Sequence, residues 1–172
     1  MGHKDYQSGF SLLELMTAIV IVVILATVAV PSFSVLVEQT RQETAAEQLR
    51  THLALARIES VTRQEWVTIC RSNDQQTCVG DALTGATAWS GLIMFVDHDR
   101  SRLPTKPEDV IRVTTFKSPV TVHWNRGDSL TYQPDGSVTG FSNGTFRVKA
   151  GNPDKEHRLI LSLSGRVREE IN

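Results

Sequence analysis

The chain has few residues of the kinds that build catalytic or metal centres. Its 172 residues include only two cysteines and five scattered histidines. No serine or cysteine stands in a recognisable nucleophile motif. A metal site built on the cysteines would need a second Cys or His pair at ligand spacing, and none lies nearby. The sequence therefore predicts a protein without enzymatic activity, cofactor or bound metal.

The chain also lacks an excess of charge of either sign. Eighteen Lys and Arg stand against nineteen Asp and Glu, which gives a formal net charge of −1. Proteins that bind nucleic acid through their general electrostatic field are usually strongly basic. Any contact with DNA would therefore depend on a local group of basic side chains.

The two cysteines, Cys70 and Cys78, enclose the polar stretch RSNDQQT, whose turn-forming residues would let the flanking segments fold back on each other. A disulfide between them would close a nine-residue loop and stabilise the fold by roughly 2.6 kcal/mol in the chain-entropy model. Such a bond persists only in an oxidising compartment such as a periplasm. The alternative is a pair of free thiols.

A long apolar run stands near the start of the chain. From Phe10 to Val30 it covers 21 residues, or roughly 31 Å as a helix, which matches a hydrocarbon core of about 30 Å. We therefore expect residues 10–31 to form a membrane-spanning helix. A single charge, Glu14, interrupts the run, and a lone carboxylate there costs on the order of 3 kcal/mol unless it is paired.

The order of residues around this run differs from that of a secretory signal. Such a signal carries its small-residue cleavage site after the apolar core, whereas here Gly9 precedes the core. The order Gly9, Phe10, Ser11 and then Glu14 resembles the type III signal of type IV prepilins and type II secretion pseudopilins. The resemblance implies that a prepilin peptidase removes a leader at residues 1–9, cuts between Gly9 and Phe10, and N-methylates Phe10.

The same resemblance implies roles for two further residues. In pilins the corresponding glutamate contacts the terminal amine of an adjacent subunit, so Glu14 is expected to act in assembly. A carboxylate near the Phe10 ammonium is favoured over an unpaired one in a low dielectric, and this pairing would set subunit register. Pro31 stands where these pilins commonly carry a helix-kinking proline. The alternative is an uncleaved signal anchor that holds a periplasmic enzyme or binding domain.

Beyond Pro31 the sequence continues to favour helix. Residues 32–63 contain no Gly or Pro and are rich in Ala, Leu, Glu, Gln and Arg. One face at 3.6-residue spacing collects small and apolar side chains, namely Ala45, Ala46, Leu49, Leu53, Ala56 and Ser60. We expect one long helix from about Phe10 to about Arg63, whose amphipathic half at 32–63 packs on a sheet.

From residue 64 onward the apolar period changes to two. Alternating segments separated by turns rich in Gly, Pro, Asn and Asp predict strands at 65–71, 91–97, 110–116, 120–124, 129–133, 145–150 and 158–163. Residues 134–136, PDG, are a candidate tight turn. The predicted fold class is α+β, in which the long N-terminal helix packs on an antiparallel β-sheet head at 64–172.

The order of motifs in this head narrows the resemblance. The segments ALARIES, a cysteine-bearing strand, WSGLIMFVDHD, YQPDGSV and LSLSGRVR are similar to the GspH/FimT-type head. The resemblance implies a minor type IV pilin of the FimT/FimU type, which would join a tip or initiating complex in pilus assembly. The alternative is an H-type minor pseudopilin of a type II secretion system.

The implied partners and location follow from the same resemblance. The partners would be prepilin peptidase, other major and minor pilins or pseudopilins, the inner-membrane assembly platform and membrane lipid. The chain would cross the bacterial inner membrane once, with its head in the periplasm, and would then enter a pilus or pseudopilus.

A charged motif lies at the end of the predicted strand at 91–97. Asp97, His98 and Asp99 resemble a ligand cluster, but an EF-hand loop needs more oxygen ligands and a glycine where RSR follows. We therefore favour a solvated turn at a strand end over a metal site.

The second motif lies near the C-terminus. Gly165, Arg166 and Arg168 form a GRxR pattern that resembles the DNA-contacting tail of FimT-type pilins used in natural transformation. On an extended tail, alternate residues would point both guanidiniums the same way, which suits phosphates. Because Glu169 and Glu170 follow directly, the alternative is a surface turn with two solvated arginines.

Overall fold

The computed structural model of the protein describes residues 11–80, 82–117, 120–150 and 156–171, with all of their side chains except those of residues 28–32. One long helix, α1, covers Leu12–Arg63, and a short 3-10 helix covers Pro107–Asp109. The strands are β1 Val67–Arg71, β2 Thr87–Trp89, β3 Gly91–Val96, β4 Val110–Thr115, β5 Val120–Trp124, β6 Ser129–Tyr132, β7 Gly144–Ala150, β8 His157–Leu161 and β9 Val167–Ile171. The chain divides into two compact units, Met1–Val37 and Glu38–Asn172.

The first unit contains the start of α1, and its apolar side chains are exposed in the single chain. Leu12 and Leu13, for example, are 77% and 74% exposed. The helix is continuous through Pro31. Within the described residues, no helix combines the length and the apolar character that a membrane span requires. The membrane-spanning helix expected at 10–31 begins outside the described residues and stays a prediction.

In the second unit, α1 packs on the sheets through the predicted amphipathic face. All six side chains of that face are buried, and those of Leu49, Leu53 and Ala56 are inaccessible to solvent. The helix ends where Gln64 adopts a left-handed conformation, with φ of 57°, and the Glu65 N–H donates to the Ser60 carbonyl. The amphipathic-face prediction is confirmed.

The strands form two antiparallel sheets. The four-stranded sheet has the order β4-β3-β1-β6, and the five-stranded sheet has the order β2-β5-β7-β8-β9. All seven predicted strands are present, with ends that differ by up to two residues. Two strands were not predicted: β2 lies in a segment interpreted as a loop, and β9 lies in the charged C-terminal segment. The α+β prediction is confirmed.

The main core lies between α1 and the inner faces of the two sheets. It is built from apolar side chains of the helix face and of alternate strand positions. Aromatic rings fill its centre: Phe146 stacks on Trp124 with centroids 4.1 Å apart and meets Trp89 edge-on at 5.3 Å. This packing holds the helix on the head.

A smaller cluster covers the other face of the four-stranded sheet. Cys70, Ile93 and Phe95 are buried there, and Cys78 packs against them. Cys70 and Cys78 form a disulfide, with Cα atoms 5.6 Å apart, as the sequence predicted. The loop that the disulfide closes therefore shields apolar side chains as well as restricting the unfolded chain.

Candidate functional site

The predicted assembly residues lie at the start of α1. Gly9 and Phe10, the predicted cleavage and methylation positions, are outside the described residues. Glu14 lies in the first turn of α1, where a negative charge complements the helix dipole. Its side chain is exposed in the single chain, while its backbone carbonyl accepts a hydrogen bond from Thr17 Oγ1 at 2.9 Å. The carboxylate is therefore accessible to solvent in the single chain.

The GRVR segment is a hairpin turn followed by an edge strand, and not a free tail. Gly165 has φ of 73°, and its N–H donates to the Ser162 carbonyl at 2.9 Å. A Cβ at this position would lie 2.0 Å from the Gly136 carbonyl oxygen. Both the backbone conformation and the close approach therefore require glycine. The extended-tail interpretation is replaced by a β8–β9 hairpin.

The two arginines of this motif have different surroundings. Arg168 lies within β9 on the outward face of the five-stranded sheet, where its side chain is 72% exposed and pairs with Glu170 at 2.9 Å. Arg166 precedes β9, is exposed, and makes no ion pair with any described side chain. Its backbone is fixed by Ser162, whose N–H donates to the Arg166 carbonyl at 3.0 Å. Arg166 is thus the more available cation.

Other basic residues share the outward face with Arg168, but carboxylates oppose them. Arg147 and Arg158 stand directly opposite each other on β7 and β8. Arg158 Nη1 lies 3.7 Å from Glu170 Oε2, and Arg158 Nε lies 3.8 Å from Glu156 Oε1. Lys149 Nζ lies 3.1 Å from Glu156 Oε2. The face therefore carries interleaved charges and not a uniformly basic patch.

A groove runs along the second unit between positions 47–58 of α1 and residues 165–167, and we call it the α1–β9 groove. Its volume is about 770 Å³. Its lining includes the apolar side chains of Ala54, Ile58 and Val167 beside charged ones such as Glu47 and Arg50, and Ile58 is 60% exposed. Arg166 also lines the groove. The sequence predicted neither the groove nor its neighbouring edge strand.

Asp97 is buried, which corrects the expectation of a solvated turn at 97–99. It is only 1% exposed and accepts hydrogen bonds from Thr68 Oγ1 at 2.7 Å and from the Arg102 N–H at 3.2 Å. Burial raises the pKa of Asp97, and the hydrogen bond from Thr68 opposes that rise. The hydroxyls of Thr68 and Thr131 are 2.8 Å apart, which extends the network across β1 and β6. The network fixes the start of the β3–β4 loop.

His98 stands on the exposed side of the same loop, between two carboxylates. Its Nδ1 lies 3.6 Å from Glu65 and its Nε2 lies 3.3 Å from Asp109. Across the part of the chain that the structure describes, no group of three or more His, Cys, Asp and Glu has the geometry to hold a metal ion. The contact with Glu65 links the β3–β4 loop to the residues that precede β1.

A buried histidine on α1 was not singled out from the sequence. His52 is 7% exposed, its Nε2 lies 2.8 Å from Thr114 Oγ1, and its Nδ1 is buried with no described partner. Burial lowers the pKa of His52, and the charge of Arg112 lowers it further. His52 gave no local signal in the sequence, because its contact is with Thr114 on β4, 62 positions later.

A long helix packed on an antiparallel head, with an acidic residue in its first turn, defines the class of pilin-like α+β proteins. Comparison with known families then identifies the chain. It belongs to the GspH family, described as type II transport protein GspH, whose pattern matches residues 45–165. The prokaryotic N-terminal methylation motif matches residues 4–30, a range that includes Gly9, Phe10 and Glu14. The predicted GspH/FimT-type membership is confirmed.

Solved structures with the same fold come from two kinds of assembly. The type IV minor pilin FimU of Pseudomonas aeruginosa is 24% identical, with a TM-score of 0.59, over 77% of this chain and 90% of that one. The minor pseudopilin EpsH from the type 2 secretion system of Vibrio cholerae is 15% identical, with a TM-score of 0.54, over 76% of this chain and 96% of that one. Comparison with curated proteins gives no match.

The family defines what kind of protein this is. The chain is a minor type IV pilin or pseudopilin, from a family of structural subunits. Proteins that carry this N-terminal motif are processed and assemble with other pilins or pseudopilins.

Proposed function

We propose that the chain is a minor type IV pilin that acts in the tip or initiating complex of a pilus. The observation that carries the proposal is the methylation motif at residues 4–30 joined to a GspH head. In this proposal prepilin peptidase cuts between Gly9 and Phe10, and the apolar helix keeps the chain in the inner membrane until filament assembly. Glu14 then pairs with the terminal amine of a neighbouring subunit, because a lone carboxylate among apolar helices is costly.

The test is the chemistry of the N-terminus. Mass spectrometry of the membrane-extracted protein should give a chain that begins at Phe10 and carries one added methyl group. Retention of residues 1–9 would refute the proposal and support a signal-anchored periplasmic binding domain.

Glu14→Ala tests the assembly role separately from processing. The variant should be cleaved and inserted normally but should enter filaments poorly, because the charge that selects subunit register is gone. Glu38→Ala is a suitable control, because it removes a second carboxylate of α1 that lies outside the apolar run. Equal recovery of the Glu14→Ala and wild-type chains in sheared filaments would count against the role of Glu14.

A role as an H-type pseudopilin is the second candidate, and the similarity to EpsH favours it. The two roles separate in cells. Deletion of the gene should abolish surface pili in the first case and secretion of exported enzymes in the second.

We further propose that Arg166, assisted by Arg168, contacts DNA phosphates. Support comes from the exposure of both side chains and the absence of an ion pair to Arg166 among the described residues. Gel shifts with the full chain should show weaker binding for the double variant Arg166→Gln, Arg168→Gln, and binding that falls steeply with salt because phosphate contacts release counterions. Arg147→Gln is the matched control on the same sheet face. Unchanged binding by the double variant would exclude these arginines.

A further inference from the structure

We propose that the free edge of β9 is a docking site for an extended segment of another subunit, which joins the five-stranded sheet as an added antiparallel strand. The inference rests on the proposed function only in taking the partner to be a subunit of the same assembly.

The edge itself is accessible. β9 is the last strand of its sheet, and in the described part of the chain it pairs with β8 on one side only. Ile171, at its end, is 68% exposed. An edge strand presents unpaired N–H and C=O groups. Peptide recognition by strand addition uses these groups for affinity and adjacent pockets for specificity.

The α1–β9 groove supplies such a pocket beside the edge. Positions 167, 169 and 171 share one face of β9, because alternate residues of a strand point the same way. Val167 on that face lines the groove together with Ala54 and Ile58. A partner residue placed opposite Val167 stands about 5 Å away and on the same face. An apolar side chain there would enter the groove.

The charges of β9 define the partner's chemistry. Arg168 and Glu170 lie on the outward face, and Glu169 on the other face is hydrogen-bonded through Oε1 to His157 Nδ1 at 2.7 Å. Opposite charges favour cross-strand pairs, and like charges disfavour them. The partner strand should therefore carry an acid opposite Arg168, a base opposite Glu170, a base or neutral residue opposite Glu169, and apolar residues at both ends.

The sequence of β9 itself nearly fits the charge pattern expected of the partner strand. When a second VREEI segment runs antiparallel with Glu169 at the centre, Arg168 faces Glu170 and Val167 faces Ile171. Only Glu169 meets a like charge. A peptide that copies residues 165–172 with Glu169→Lys is therefore a direct probe of the edge.

The probe, labelled with fluorescein, would be titrated with the full chain in detergent micelles and followed by anisotropy. We expect saturable binding that Arg168→Glu in the protein weakens by about fivefold or more, the effect of roughly 1 kcal/mol in a charge pair. A probe that also carries Glu170→Arg should restore binding to the Arg168→Glu protein. Arg147→Glu is the matched control, because Arg147 is exposed on the outward face two strands away from the edge.

A second variant tests the groove. Ile58→Asp should weaken the binding of the probe by about fivefold or more, because a charge would stand where an apolar side chain of the probe is to be buried. Thr44→Asp, at an exposed position of α1 outside the groove, should leave binding unchanged. Both substitutions are at exposed positions, so folding is preserved and can be verified by circular dichroism.

Three results would overturn the proposal. Failure of the probe to bind would mean that the charges of β9 protect the edge from association. Binding insensitive to Arg168→Glu and Ile58→Asp would place the probe elsewhere. Dimers of the chain alone that Arg168→Glu dissociates, seen by sedimentation, would make a second copy the occupant. None of these results depends on filament entry, so a failure of the proposed function would be seen separately with Glu14→Ala.

Discussion

Thr68→Val would test the buried hydrogen-bond network that joins Thr68, Asp97 and Thr131 in the four-stranded sheet. The Thr68 hydroxyl donates to Asp97 at 2.7 Å, and because it has one proton, Thr131 is the donor in the 2.8 Å contact between the two threonines. Valine keeps the shape of the side chain and removes the hydroxyl. The substitution leaves a buried carboxylate one donor short and Thr131 without an acceptor. We expect the free energy of unfolding to fall by about 2–3 kcal/mol at pH 7.

The pH dependence of this loss follows from the pKa of Asp97. Burial raises that pKa above its ordinary value of 3.8. The folded chain therefore keeps the Asp97 proton where the unfolded chain has released it, so the contribution of Asp97 to stability falls as pH rises through the folded pKa. Loss of the Thr68 donor raises the pKa of Asp97 further, because the ionised carboxylate loses more from it than the neutral form does. The effect of Thr68→Val should thus be largest at neutral pH and shrink in acid.

The assay is urea unfolding of the full chain in detergent, followed by tryptophan fluorescence at pH 7 and pH 4.5. Thr121→Val is the matched control, because Thr121 is exposed on β5 and its hydroxyl lies 3.4 Å from the Lys149 carbonyl. The control should lose less than about 0.5 kcal/mol. Equal losses for both variants, or a loss for Thr68→Val that does not change with pH, would refute the network as described.

Two other predictions concern residues that the tertiary structure constrains. Because burial, reinforced by Arg112, lowers the pKa of His52, the unfolded chain takes up a proton before the folded chain as pH falls. Stability should therefore decline below about pH 6.5, the unperturbed histidine pKa, and His52→Gln should flatten that decline in urea midpoints measured from pH 7.5 to 5. Gly165→Ala should cost more than about 1 kcal/mol, because alanine there is both strained and blocked by the Gly136 carbonyl, whereas Gly140→Ala meets open space. Equal thermal midpoints for the two glycine variants would contradict this reasoning.

Local sequence patterns were sufficient for most of the secondary structure. The 3.6-residue spacing of small and apolar side chains around Leu49 and Leu53 predicted the buried helix face, because periodicity reports which side of an element meets the core. Alternation and turn residues likewise located seven of the nine strands found in the described residues. The two strands that were missed gave weak local signals: β2 has three residues, and β9 reads VREEI, in which charges occupy both faces.

The charged residues were harder to interpret, because their environment depends on distant parts of the chain. Asp97 stands in a polar run and was expected to be solvated, yet β1 brings the Thr68 hydroxyl to it from 29 positions away. Arg166 and Arg168 formed one motif in the sequence but lie in a turn and on an edge strand, with different partners. Sequence spacing could not show this separation.

The sequence alone determined the long helix, its buried face, most of the strands, the family signature around Gly9 and Glu14, and the pairing options of two cysteines, because these depend on residues near one another in the chain. Only the tertiary structure decided how the strands divide into two sheets, that Asp97 and His52 are buried, and that β9 is an edge beside a groove. Strand order and burial arise from contacts between residues far apart in sequence, and no local pattern specifies those contacts.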